Sequence, residues 1–268
     1  MDTKLEKEEK IAFIHIGKCG GTSLVNQISK YNIYQYHIKN KNDICKSEKN
    51  IIYDPINEKY IIWIRHPLSR FVSAFNMIYT TLNTVVNPNI IYDRQNSVCP
   101  EILINKLKYN RDYYFSKIND TLILKHTSAN ELAENITSDN PEKKKDALEL
   151  MNLNLEHCPH ILKGIGYYLY NGDFIKEHND KILFVGKLET MEEDLIKLAI
   201  ILNKKINPNT KIRENKQATE GMKYLSPLAI KNLLEWYKDT DYAALNQLYL
   251  KGWITKEVFD SYHTYTLA

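Results

Sequence analysis

Ile11-Ala-Phe-Ile-His-Ile-Gly-Lys-Cys-Gly-Gly-Thr-Ser23, followed by Leu24, Val25 and Ile28, is the stretch from which the rest of the chain can be read. Residues 11–16 are an apolar, β-branched run of strand length, the next five are rich in glycine, and apolar residues then recur at helical spacing. The pattern predicts a strand, a tight loop and a helix. Such a junction aims backbone N–H groups and the positive end of a helix dipole at one place, which suits a phosphate or a sulfate. Gly20 and Gly21 let the backbone approach an anion, Thr22 and Ser23 add hydroxyl donors, and Lys18 adds a mobile positive charge. Lys18 precedes the glycine pair, so the loop departs from the nucleotide-binding pattern in which lysine follows the second glycine.

Tyr60-Ile-Ile-Trp-Ile-Arg-His-Pro-Leu-Ser-Arg-Phe-Val-Ser-Ala-Phe75 repeats the plan. An apolar strand over 60–64 ends in Arg65. Pro67 then sits near a helix start, where its missing N–H does no harm, and Leu68, Phe71, Val72 and Phe75 give that helix an apolar face. Arg65 at the strand end and Ser73 in the helix are candidates to converge on one phosphate. Taken alone, Arg65, Arg70 and Ser73 read better as a solvated helix start with an ordinary ion pair.

Together the two stretches resemble the sulfotransferases that use 3′-phosphoadenosine-5′-phosphosulfate (PAPS), in particular the carbohydrate sulfotransferases. His15-Ile-Gly-Lys-Cys-Gly-Gly-Thr-Ser23 is similar to the family's His-Ile-Pro-Lys-Thr-Gly-Gly-Thr-Ser, and Arg65-His-Pro-Leu-Ser-Arg-Phe-Val-Ser-Ala-Phe75 to its second motif. The likeness is close over the first third of the chain and loose beyond it. Gly17 stands where the family has proline, and Cys19 where it has threonine or serine. These changes loosen the loop and remove one hydroxyl, leaving the backbone donors.

The resemblance implies a PAPS donor, PAP as product and no required metal. It implies cofactor contacts from Lys18, Cys19, Gly20, Gly21, Thr22, Ser23, Arg65 and Ser73, with Lys18 also catalytic. His37 is the candidate catalytic base, because Tyr31–Ile38 reads as a second strand and the family's base commonly lies on or after the strand that follows the first helix. A neutral imidazole suits the removal of an acceptor proton near pH 7. His15 reads as a core residue and His66 as a possible cofactor contact. His157 and His160 have metal-compatible spacing that Cys158 alone does not complete, or else they line the acceptor cleft. Lys211–Lys216 is a basic loop; Arg213 and Lys216 either cover the 3′-phosphate, as the resemblance implies, or belong to a solvated connection.

The order of elements predicts an α/β protein, a mainly parallel central sheet flanked by helices in a P-loop-like sulfotransferase fold, with the cofactor at the carboxyl ends of the strands. One domain over 1–268 is expected, with a helical or loop insertion at about 82–160 that carries acceptor recognition. Leu82–Asn96 reads as an excursion without period. Thr190-Met-Glu-Glu193 reads as a capping box, with Glu189 before it structural. A net charge of +3 with dispersed basic residues gives no case for nucleic acid. Four cysteines without paired spacing predict reduced thiols. Residues 1–10 lack an apolar signal core and no run is of membrane-spanning length, so a soluble, cytoplasmic chain, or one freed from an anchor, is expected. The resemblance implies a small-molecule or glycan acceptor. A nucleotide-dependent phosphotransferase and a non-catalytic PAPS- or PAP-binding protein are the alternative readings.

Overall fold

A computed structural model describes residues 10–28, 31, 33–36, 58–86, 121–153, 160–206 and 220–265. His37, Arg213, Lys216, His157 and Cys158 lie outside the described residues.

Strand β1 (Lys10–Ile14) leads through the glycine loop into helix α1 (Gly21–Ile28), and β2 (Tyr34–Tyr36) then pairs in parallel with β1. Strand β3 (Glu58–Ile64) pairs in parallel on the other side of β1, and helix α2 (Pro67–Val86) follows it. The helix runs on through residues 82–86, which the sequence alone assigned to an aperiodic excursion. Residues 81–86 include no proline or glycine, so nothing in the local sequence stops α2 within them.

Strand β4 (Ile182–Lys187) completes a parallel sheet of order β2-β1-β3-β4 among the described residues. The chain steps one way from β1 to β2 and the other way to β3 and β4. That reversal opens a crevice beyond the carboxyl ends of β1 and β3, where ligands of open α/β sheets bind.

Both faces of the sheet are buried, which is why its strands read as continuous apolar runs rather than alternating ones. One face carries Phe13, Ile61, Trp63 and Phe184 against Leu24 and Ile28 of α1 and Met191, Leu195 and Leu198 of helix α3 (Met191–Leu202). Burying Leu24 and Ile28 contributes roughly 1.5–3 kcal/mol each. That contribution sustains an eight-residue helix too short to persist by itself. On the other face Ala12, Ile14, Tyr60, Ile62 and Ile64 are also buried, and the Tyr60 ring meets Phe174 edge-on at 5.1 Å.

The expected capping box does not form. Thr190 makes no side-chain cap; its hydroxyl donates to Asp194 Oδ2 at 2.8 Å, and Asp194 also accepts from the Lys187 N–H. A buried carboxylate one turn into α3 offers a stronger acceptor than the helix N–H groups offer as donors.

The chain divides into two compact units. The first comprises Met1–Arg70, Gly164–Lys216 and Tyr237–Thr264, and the second Phe71–Lys163, Gln217–Trp236 and Tyr265–Ala268. The second is helical among its described residues. Ser128 caps Ala129–Asn135, Asn140 caps Pro141–Met151, and Asn232 donates to the Ala133 carbonyl at 2.9 Å. A cavity of about 1080 Å³ in this unit, lined by residues including Ile136, Leu228 and Trp236, contains none of the motif residues.

Candidate functional site

The loop after β1 turns sharply. Lys18 has φ 70° and Gly20 φ 82°, so the backbone passes twice through the left-handed region, once on a residue that has a Cβ. Gly21 is held in close contact: a Cβ there would sit 2.0 Å from the His15 ring. His15 lies one residue past the end of β1 and is half-buried, rather than inside the strand as its sequence context suggested. Thr22 is exposed and Ser23 half-buried, while Cys19 is only 1% exposed. Burial pushes the Cys19 thiol up to about 12, so it stays protonated. The N–H groups of Gly21, Thr22 and Ser23 are in the first turn of α1, where a helix supplies no acceptor of its own.

Arg65 follows β3 directly. Its Nη1 donates to the Lys18 carbonyl oxygen at 3.2 Å, so the two motifs that the sequence separates by some forty residues are joined at the strand ends. Burial, and then the charges of Arg65 and Arg70, hold the Lys18 ammonium below the ordinary lysine value. A site that penalises its own cation in this way is one in which an anion is stabilising.

His66 has a different task from the cofactor contact considered above. Its Nδ1 accepts from the Leu68 N–H at 3.2 Å, capping α2, and its own N–H donates to Glu189 Oε1 at 2.8 Å. With Nδ1 an acceptor, Nε2 carries the proton and donates to the Thr264 carbonyl at 2.9 Å. Both ring nitrogens are therefore engaged and the ring is neutral. Burial keeps it so, holding the imidazole below its ordinary value. Glu189 is structural, as expected: its other oxygen accepts from the Tyr262 hydroxyl at 2.9 Å.

Arg70 is not the solvated helix-start residue its position suggested. It is fully buried, with Nε 3.7 Å from Asp241 Oδ2 and its guanidinium carbon 6.0 Å from the Tyr237 ring centroid. Ser73 lies three residues further along α2 and is half-buried.

Two contributors had no motif to announce them. The Tyr168 hydroxyl is hydrogen-bonded to the Gly17 backbone, and burial pushes that hydroxyl up to about 12. Asp241 opens the helix Asp241–Leu250 and accepts from the Gly166 N–H at 2.8 Å. The available signal was the Gly164-Ile-Gly166 spacing before Tyr168. Glycines so placed mark a close backbone approach.

A parallel sheet flanked by helices, with a glycine-rich loop at the end of one strand and an arginine at the end of the next, defines the class as an α/β protein. The chain belongs to the sulfotransferase family, whose family model matches residues 1–152. It is a transferase of that family. No curated protein and no solved structure matches the chain. Among the described residues, no helix is long and apolar enough to cross a membrane.

Proposed function

We propose that this protein transfers a sulfuryl group from PAPS to a hydroxyl, or an amine, of a carbohydrate acceptor and releases PAP. The observation that carries the reading is the joining of Arg65 to the Lys18 carbonyl at the ends of β1 and β3, beside the first turn of α1. The donor set fits a nucleotide that carries two separate anionic groups. The compact loop, with Lys18 and Gly20 in the left-handed region, is followed in sequence by the hydroxyls of Thr22 and Ser23, and Arg65 is brought to Lys18 as a second cationic residue.

The donor supplies an activated sulfuryl group on a phosphate leaving group. Lys18 neutralises the charge that develops on the oxygen between phosphate and sulfur, and the N–H groups of residues 20–23 stabilise the same charge. Arg65, with Ser73 eight residues further on, holds the 3′-phosphate and selects this donor over ATP. Arg213 and Lys216 cover that phosphate. His37 takes the acceptor proton as its oxygen attacks sulfur. Motif likeness to the carbohydrate sulfotransferases supports the acceptor class.

Calorimetric titration with adenosine 3′,5′-bisphosphate, against AMP and ATP with magnesium, tests the reading. Binding that requires the 3′-phosphate and weakens in Arg65→Ala is expected. An equal response to AMP, or a preference for ATP with magnesium, would overturn it.

A further inference from the structure

We propose that Asp241 is a positioning residue for the anion loop, fixing Gly17 through the Gly164–Tyr168 turn and balancing, through Arg70, the charge that Lys18 meets. The proposal rests on Lys18 being the residue that meets the donor, but it is testable without that donor.

The geometric link starts at the short helix Ile165–Tyr168, whose N-cap is Gly164 and makes no side-chain cap bond. Asp241 supplies the cap from another part of the chain: its carboxylate accepts from the backbone N–H groups of Gly166 and Ile165. The approach is so close that a Cβ on Gly164 would lie 2.1 Å from Asp241 Oδ1, and one on Gly166 would lie 2.5 Å from the Thr240 carbonyl carbon. Only glycine at both positions permits it. The last residue of this turn, Tyr168, then reaches the Gly17 backbone with its hydroxyl. Asp241 thus sets the turn, the turn sets Tyr168, and Tyr168 holds the residue before Lys18.

The electrostatic link is through Arg70. Arg70 and Asp241 are 0% and 1% exposed, and the guanidinium does not lose its proton, so the ionised carboxylate is the form that leaves no net buried charge. Burial raises the Asp241 pKa, and Arg70 with the two N–H groups pulls it back. Around Lys18 stand Arg65 after β3, Arg70 in α2 and its neighbour Cys19; around Arg70 stand Asp241, Tyr168, Tyr237 and Cys19. Glu189 faces Cys19. With Asp241 uncharged, the Arg70 charge is unbalanced and bears more heavily on the Lys18 ammonium.

The test is the pH dependence of Lys18 acylation by acetic anhydride, read by mass spectrometry on the ligand-free chain from about pH 7 to about pH 11. Asp241→Asn keeps an acceptor for the turn and removes the charge, so the Lys18 midpoint is expected to shift to lower pH. The double variant Arg70→Gln with Asp241→Asn leaves no lone buried ion, and its midpoint is expected to return to the wild-type value or above. An unmoved midpoint in folded Asp241→Asn overturns the proposal. Failure of both variants to give a cooperative melt also overturns it, in favour of a pair that only supports the fold. Should the wild-type chain not bind adenosine 3′,5′-bisphosphate while the midpoint still moves, the donor reading falls and the link from Asp241 to Lys18 stands.

Discussion

Lys18 combines three pressures in one residue. Its backbone is in the left-handed region, its side chain is partly buried, and two guanidinium groups face it. Each is unfavourable for an isolated lysine, and such strain at a loop tip is characteristic of a site held ready for a ligand. An anion between Lys18 and Arg65 would relieve the electrostatic part. Removing an oxyanion contact of this kind typically costs about 2–4 kcal/mol in the transition state. Lys18→Ala is therefore expected to lower turnover by roughly two to three orders of magnitude. Steady-state sulfation with labelled donor measures this; near-normal turnover would remove Lys18 from the chemistry. The motif made Lys18 visible as a charge. Its lowered pKa comes from burial first and then from the charges of Arg65 and Arg70, and chain separation hides both.

Helix α2 shows how an element inherits a pH dependence from its first residues. His66 caps it through Nδ1, an acceptor only while the ring is neutral. Burial holds the folded-state pKa below the unfolded value of about 6.5. Under acid the unfolded chain takes up the proton first, so stability falls as pH drops below about 6.5 and levels off below the folded pKa. Burial also holds His126 and His178 down, so wild-type acid sensitivity has several sources. His66→Asn keeps a capping oxygen for the Leu68 N–H and removes the titration. Its melting temperature is expected to fall less between about pH 7 and about pH 5 than that of the wild type. Parallel curves would show that His66 does not titrate in this window. At this scale the sequence was informative about existence and type: β1, α1, β3 and α2 were all legible from apolar period. It missed boundaries and caps where a partner outside the local motif supplied the bond. At Thr190, a buried Asp194 outcompeted the capping box.

As a whole, the first unit is assembled from three separate stretches of chain, 1–70, 164–216 and 237–264. The family match ends at residue 152. Strand β4, Tyr168, Glu189, Asp241 and Tyr262 all come later, and each meets the sheet or the loops. A fragment 1–152 would leave β3 without its β4 ladder and Arg70 without Asp241, a buried ion whose partner is worth about 3–5 kcal/mol to remove. That is a large part of the total stability of a domain. The fragment is expected to show no cooperative transition by circular dichroism and no binding of adenosine 3′,5′-bisphosphate. A sharp melt from the fragment would mean that the matched region folds by itself.

By itself the sequence determined the local units: a strand, a glycine loop and a helix twice over, with the charged and hydroxyl residues of an anion site at their junctions. Those features arise from interactions within a few residues, namely apolar period, glycine and proline placement and first-turn donors, so they are written along the chain. Tertiary structure alone decided that Arg65 holds the Lys18 carbonyl, that His66 is tied to Glu189 and Thr264, and that Arg70 is buried on Asp241. These depend on which distant groups the parallel sheet brings to its carboxyl edge. A buried charge or donor must find its partner there, however far away it lies in the sequence.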